Sequence, residues 1–154
     1  MKVIKRIVVC IDFSVYSPDI LEYASGVAER ISAEIIAVNV INKRLIESLK
    51  NEFDESNYRT FSLEKFTGDE IEKRTRHLGE LISQWVSQKV ATRIIIRSGV
   101  PFEEILKAVD DEEADLLVIS SRGRTNFQDY MFGTTAEKIF RHSPVPVLSL
   151  NLRR

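Results

Sequence analysis

Five short runs rich in Val, Ile and Leu alternate with segments whose apolar residues recur at helical spacing. The runs cover residues 3–11, 34–41, 92–97, 115–120 and 144–150. The first ends in IVVCI, without the apolar–polar alternation of a half-exposed strand, which is typical of a strand buried on both faces. Strands that alternate with helices form parallel sheets covered on both sides. We therefore predict an α/β fold, a single doubly wound domain over residues 1–154.

The segments between these runs are predicted to be helical, with one less regular stretch. Helices are expected at residues 18–32, 69–89 and 133–142, and from Pro101 onwards. Ser17 is predicted to cap the first helix, because a proline follows it at the first helical position. An apolar stripe that includes Ile71, Leu78 and Trp85 is predicted to face the core from the long helix. Residues 42–66 are charged and less regular, with one short helix expected among them.

Composition excludes several classes of protein. The net charge of −1 creates no field that would draw the chain to nucleic acid or to an anionic membrane. No apolar run is long enough to cross a bilayer, and none at the N-terminus is typical of a signal peptide. The single cysteine, Cys10, cannot form an internal disulfide, which favours a reducing, cytoplasmic setting.

A ligand of such a fold would bind at the carboxyl ends of the strands, where the strand order reverses. The most distinctive loop there is SSRGRTNFQDYMFGTT, residues 120–135, which joins a strand to a helix. Its glycines allow close backbone approach, and Gly133 and Thr134 stand at a helix start, where free N–H groups favour an anion. Arg122 and Arg124 add positive charge. The alternative is ordinary helix capping beside solvated arginines, and the residues by themselves leave both interpretations open.

Other motifs that would indicate a chemistry are missing. The sequence contains no GxxxxGK[ST] phosphate loop, no GxGxxG after a strand and no GxSxG nucleophile elbow. His77 and His142 have no clustered acidic or cysteine partners in the sequence, so we predict no metal site. Cys10 lies inside a strand, where a small buried side chain is expected rather than a nucleophile.

The spacing of the loop glycines resembles a known pattern. Gly123, nine intervening residues, Gly133 and then Thr134 match the second half of G-x2-G-x9-G-[ST], the pattern of the ATP-binding branch of the universal stress protein family. The stretches VVCIDFS, AEIIAVNVI, SGVPFEEIL, ADLLVISSRGR and RHSPVPVLSL resemble the same family, in order, over nearly the whole chain. The first glycine of the pattern is replaced by Ser120. Serine would weaken binding if that position needs a positive φ or a very close approach to the ligand, and would be harmless if it needs only a small residue.

The resemblance implies a five-stranded parallel sheet of order 3-2-1-4-5 and a site for an adenine nucleotide. It implies ATP, with ADP or AMP as alternatives, and Mg²⁺ or Mn²⁺ bridging the phosphates. In that site Asp12 would lie at the ribose, Cys10 and Ile11 would line the adenine pocket, and the backbone of Val40 would meet adenine. The predicted phosphate and ribose residues are Ile119, Ser120, Arg122, Gly123, Gly133, Thr134 and Thr135. The resemblance also implies a homodimer that pairs through the strand at residues 144–150.

Three functions are compatible with this interpretation. The first is a nucleotide-binding regulatory module of a stress response. The second is a dimeric interaction module of the same fold that does not bind a nucleotide. The third is a slow ATPase, although Asp12 is the one candidate base near the motif and the resemblance assigns it to the adenosine end. We predict no catalytic residue.

Overall fold

A computed structural model, described here for residues 3–55, 63–121 and 134–151, contains one sheet of five parallel strands. The strands are β1 (Arg6–Cys10), β2 (Glu34–Asn42), β3 (Thr92–Gly99), β4 (Leu116–Ser120) and β5 (Val147–Leu150). Their order is β3-β2-β1-β4-β5, as the resemblance implies. The α/β fold with a doubly wound parallel sheet is thereby confirmed.

The order reverses at β1, which is the central strand of the sheet. Val8 is paired with Ile36 of β2 on one side and with Leu117 of β4 on the other. The ladder between β1 and β4 ends at the pair Val9 and Val118. The carboxyl ends of β1 and β4 therefore lie side by side at the reversal, which is where open α/β sheets bind their ligands.

Helices pack on both faces of the sheet. They are α1 (Ser17–Ile31), α2 (Lys43–Glu55), α3 (Leu63–Trp85), α4 (Pro101–Asp111) and α5 (Thr134–His142). Buried residues of α1 and α3 pack with Ile7 and Val9 in one core cluster. Buried residues of α4 and α5 pack with Val8 and Leu117 in a second cluster. Alternate residues of β1 therefore enter opposite cores, which explains why the whole strand is apolar.

The first turn of α1 differs from the prediction. Ser17 is not the N-cap: the helix begins at Ser17, and the cap residue is Tyr16, which makes no capping hydrogen bond through its side chain. The hydroxyl of Ser17 instead donates to Asp12 Oδ1 at 3.4 Å. The side chain that the sequence pattern assigned to the cap therefore contacts Asp12, five residues earlier in the same turn.

The apolar stripe of α3 is narrower than predicted. Leu78 is fully buried, but Ile71 and Trp85 are each 38% exposed, so the prediction that Trp85 faces the core is wrong. Val86, directly after Trp85, is the residue that is buried there. Helix α3 ends at Trp85, and Val86 lies just beyond the helix end, where its side chain packs in the core cluster beside β1. None of the described helices is long and apolar enough to cross a membrane.

Candidate functional site

A cavity of about 350 Å³ opens at the carboxyl edge of the sheet, beside the reversal. All of the predicted site residues that the structure describes line it: Cys10, Ile11, Asp12, Val40, Ile119, Ser120, Thr134 and Thr135. They come from the ends of β1, β2 and β4 and from the start of α5. The other predicted residues, Arg122, Gly123 and Gly133, lie outside the described residues. The volume falls within the range of small-molecule sites in proteins.

Asp12 is held in place by the turn between β1 and α1. Its Oδ1 atom accepts a hydrogen bond from the backbone N–H of Ser14 at 2.9 Å and another from the hydroxyl of Ser17 at 3.4 Å. Phe13, the next residue, has a φ of 59°, a conformation that is costly for a bulky side chain. The chain therefore bends sharply after β1, and the bend leaves the half-buried carboxylate of Asp12 on the cavity wall.

The ring of Phe13 stacks on His77, with 4.5 Å between the ring centroids and 7° between the ring planes. His77 lies on α3 and is exposed. Over the described ranges, no group of three or more His, Cys, Asp or Glu side chains is arranged to hold a metal ion. The stacking makes His77 an aromatic contact to the positive-φ turn that follows Asp12.

Cys10 is half-buried and forms part of the cavity wall. Burial raises its pKa well above the usual range, and the negative charge of Asp12 raises it further. A thiol that stays protonated is a poor nucleophile. This agrees with the expectation that Cys10 is a small packing residue and not a catalytic one.

Ser120, which stands where the family pattern has its first glycine, ends β4 in ordinary strand conformation. It is paired in register with Leu150 of β5, and it is not among the described residues with a positive φ. The following Ser121 donates its backbone N–H and its hydroxyl to the carbonyl of Leu150, both at 3.1 Å. The end of β4 is thus anchored to β5 in a geometry that serine adopts without strain.

The first turn of α5 forms another wall of the cavity. Thr134, Thr135 and Ala136 all line it, and the helix begins at Thr134. The first N–H groups of a helix have no partner within the helix, and the helix dipole is positive at this end. This wall therefore favours a negatively charged group, while Val40, Ile105 and Ile119 supply apolar surface elsewhere.

One residue of the site was missed by the sequence analysis. Asn39 lies in the apolar strand β2, is 2% exposed and lines the cavity. Its Nδ2 atom donates to the carbonyl of Ile11 at 2.7 Å, and its Oδ1 atom accepts from Arg74 of α3 at 2.9 Å. The signal was available, because a lone asparagine inside EIIAVNVI has to find partners when it is buried.

This sequence and this fold are both similar to those of known proteins. The sequence resembles two universal stress proteins of Methanocaldococcus jannaschii. It is 28% identical to MJ0531 over 145 residues, which cover 94% of this chain and 80% of that protein. It is 26% identical to MJ0577 over 152 residues, which cover 94% and 93%. The solved structure of MJ0577 superposes with a TM-score of 0.79 over 99% of both chains, at 22% identity.

Two of the similar solved structures contain an adenine nucleotide. A universal stress protein of Archaeoglobus fulgidus in complex with dAMP has a TM-score of 0.66 and 16% identity, over 97% of this chain and all of that one. A universal stress protein in complex with cAMP has a TM-score of 0.62 and 19% identity, over 97% and 98%. At these identities the likeness shows the fold. The sequence profile of the universal stress protein family matches residues 4–150, and this chain therefore belongs to that family.

Proposed function

We propose that this protein binds an adenine nucleotide, ATP in the cell, in the cavity at the sheet reversal. One observation carries the proposal: residues separated by more than a hundred positions in the sequence, such as Asp12 and Thr134, line the same cavity. The cavity combines apolar walls, a carboxylate and a helix N-terminus. Those features match an adenine ring, a ribose and a phosphate chain, respectively.

The proposed ligand lies across the ends of three strands. Adenine packs near Cys10 and Ile11 and meets the backbone of Val40, and the ribose hydroxyls donate to Asp12. The phosphates extend towards Thr134 and Thr135 at the start of α5, where backbone N–H groups and hydroxyls can donate to them. The glycines of the sequence pattern, together with Arg122, would complete the phosphate end. Mg²⁺ or Mn²⁺ would be held mainly by the phosphate oxygens, with water completing its shell.

We propose that the site acts through its occupancy and not through turnover. Asp12 is engaged by Ser14 and Ser17 and is assigned to the ribose, so it is poorly placed to activate water for attack on a terminal phosphate. The protein would then be a cytoplasmic regulatory module of a stress response. Phosphate release by the purified protein, measured beside an Asp12→Asn variant, tests this: turnover abolished by the substitution would favour the slow ATPase.

The edge strand β5 supports a proposed homodimer. Among the residues that the structure describes, its strand partner is β4 alone, and its register with β4 ends at Leu150. A free edge of this kind can pair with the same strand of a second copy. Sedimentation of the purified protein would show the dimer, and a Ser149→Pro variant, which removes an N–H group from the edge, would dissociate it if β5 forms the contact.

The proposed site is tested by titrating ATP with magnesium into nucleotide-free protein in a calorimeter. We expect a dissociation constant of about 0.1 mM or tighter, about −5.5 kcal/mol, which millimolar cellular ATP would largely saturate. Thr134→Val should weaken ATP about tenfold, because it removes one phosphate donor, and should leave adenosine binding unchanged. Wild-type protein that binds neither ligand would contradict the proposal and favour the nucleotide-free interaction module.

Ser120, which replaces the first glycine of the family pattern, is expected to leave the affinity for ATP nearly unchanged. Because Ser120 already has strand geometry, Ser120→Gly should change ATP affinity by less than about threefold and lower stability by about 0.5–1 kcal/mol through backbone entropy. Calorimetry and thermal unfolding measure the two effects. A tenfold gain in affinity with glycine would mean that the serine side chain obstructs the ligand.

A further inference from the structure

The carboxamide of Asn39 joins the ends of two neighbouring strands. It lies on β2 directly before Val40, and its Nδ2 atom donates to the carbonyl of Ile11, directly before Asp12, at 2.7 Å. Ile11 N also donates to the carbonyl of Val38 at 2.9 Å. These two hydrogen bonds fix the segment that follows β1 against β2. Both residues that flank this connection, Val40 and Asp12, belong to the adenosine end of the proposed site.

Arg74 of α3 determines how that carboxamide is oriented. Its Nη1 atom donates to Asn39 Oδ1 at 2.9 Å, while its Nε atom donates to Glu70 Oε2 at 3.1 Å. The side chain of Arg74 is 12% exposed and that of Glu70 is 22% exposed. A guanidinium can only donate, so Asn39 must present its oxygen to Arg74 and its amide N–H groups to Ile11. Arg74 therefore donates both to Glu70 and to Asn39, and Asn39 in turn donates to Ile11.

The same helix contacts the site a second time. His77 lies one turn after Arg74 on α3 and stacks on Phe13, the positive-φ residue that follows Asp12. Arg74 thus acts on the residue before Asp12, and His77 acts on the residue after it. Helix α3 is in this way connected to both sides of the carboxylate that the proposed function places at the ribose.

We propose that Arg74 is a positioning residue for the adenosine end of the site, acting through Asn39 on the backbone between Ile11 and Asp12. This inference rests on the proposed nucleotide function. Without Arg74, the oxygen of a buried carboxamide loses its charged donor and the amide is free to turn. The carbonyl of Ile11 then loses its fixed partner, and the strand ends that receive adenine and ribose are no longer held in one arrangement.

A role confined to stability makes a different prediction. A residue that only holds α3 on the sheet changes the free energy of unfolding, but the folded variant binds its ligand as before. A positioning residue changes the affinity of protein that is still fully folded. Because Arg74 acts through Asn39 on the adenosine end, its loss should affect adenosine and ATP by the same factor.

The experiment compares Arg74→Met with Arg76→Met. Methionine keeps much of the apolar side chain and removes the charge and the donors. Arg76 is a matched control, since it forms an exposed pair with Glu72 at 2.9 Å on the same helix. Adenosine and ATP are titrated into both variants below their unfolding temperatures. Cys10, the single cysteine of the chain, is alkylated in ligand-free protein to report on the end of β1.

In Arg74→Met we expect adenosine and ATP to bind about tenfold more weakly and Cys10 to be alkylated at least about fivefold faster. Arg76→Met should match the wild type in all three measurements. Arg74→Lys, which keeps a donor for Asn39, should recover part of the affinity. Asn39→Asp keeps the contact with Arg74 but brings a carboxylate oxygen to the carbonyl of Ile11, and it should lose affinity as Arg74→Met does.

Folded Arg74→Met with unchanged adenosine affinity would overturn the inference, and so would a loss for ATP that adenosine does not share. If the wild type binds neither ligand, both the proposed function and the positioning role are overturned. The alkylation rates distinguish these failures, because they report on the contact between α3 and β1 without any nucleotide. Unchanged alkylation in Arg74→Met overturns the structural connection itself.

Discussion

Replacing Asp12 with alanine is expected to weaken adenosine and ATP by about thirtyfold each, which corresponds to about 2 kcal/mol. The substitution removes a charged acceptor from the proposed ribose position. It also removes the acceptor of the Ser14 N–H and of the Ser17 hydroxyl, which together shape the turn after β1. Calorimetric titration of both ligands measures the effect, and the equality of the two losses is the informative part of the result.

Asp12→Asn separates the ligand contact from the shape of the turn. Asparagine keeps an oxygen that can accept from Ser14, so the turn should persist while the charge is lost. We expect Asp12→Asn to unfold at nearly the wild-type temperature and to lose about tenfold in affinity for both ligands. Weaker ATP binding with unchanged adenosine binding would move Asp12 to the phosphate end and would contradict the proposed orientation.

Replacing Leu78 with alanine is expected to lower the free energy of unfolding by about 3 kcal/mol. Leu78 is fully buried where α3 packs on the sheet, in the same core cluster as Ile7, Leu21 and Ile35. The truncation loses the transfer free energy of the leucine side chain and leaves a cavity that rigid neighbours fill only partly. Urea unfolding followed by circular dichroism measures the loss from the shift in midpoint.

Ile71 provides the matched control on the same helix. It belongs to the predicted apolar stripe but is 38% exposed, so Ile71→Ala should cost less than about 1 kcal/mol. Similar losses for Leu78→Ala and Ile71→Ala would mean that the two positions are equally buried in solution. That result would contradict the way in which α3 faces the sheet in this structure.

Much of the fold could be predicted because the relevant signals are local. A run such as DLLVIS predicts a strand buried on both faces, and Pro101 predicts the start of α4, where the structure places it. The strand order was not available from such patterns. It came from the family resemblance, because pairing between β1 and β4 depends on residues more than a hundred positions apart.

Local sequence patterns gave wrong predictions where more than one side chain could satisfy the same spacing. Trp85 and Val86 both fit the predicted stripe within the tolerance of a helical pattern, but α3 ends at Trp85, and Val86, just beyond it, is the residue that is buried. Ser17 has the composition of a cap, yet its hydroxyl contacts Asp12. In the first case the end of the helix decides which side chain is buried, and in the second a contact within the turn after β1 replaces a capping preference worth about 1 kcal/mol.

The sequence by itself determined which segments become strands and helices and which residue types stand at the strand ends, because hydrophobic period and turn chemistry act over a few neighbouring residues. Only the tertiary structure decided that Asp12, Ser120 and Thr134 line one cavity. It alone showed the hydrogen bonds that connect Arg74 through Asn39 to Ile11. Such contacts form only after the strands have paired and α3 has packed on them, so no short window of the sequence contains them.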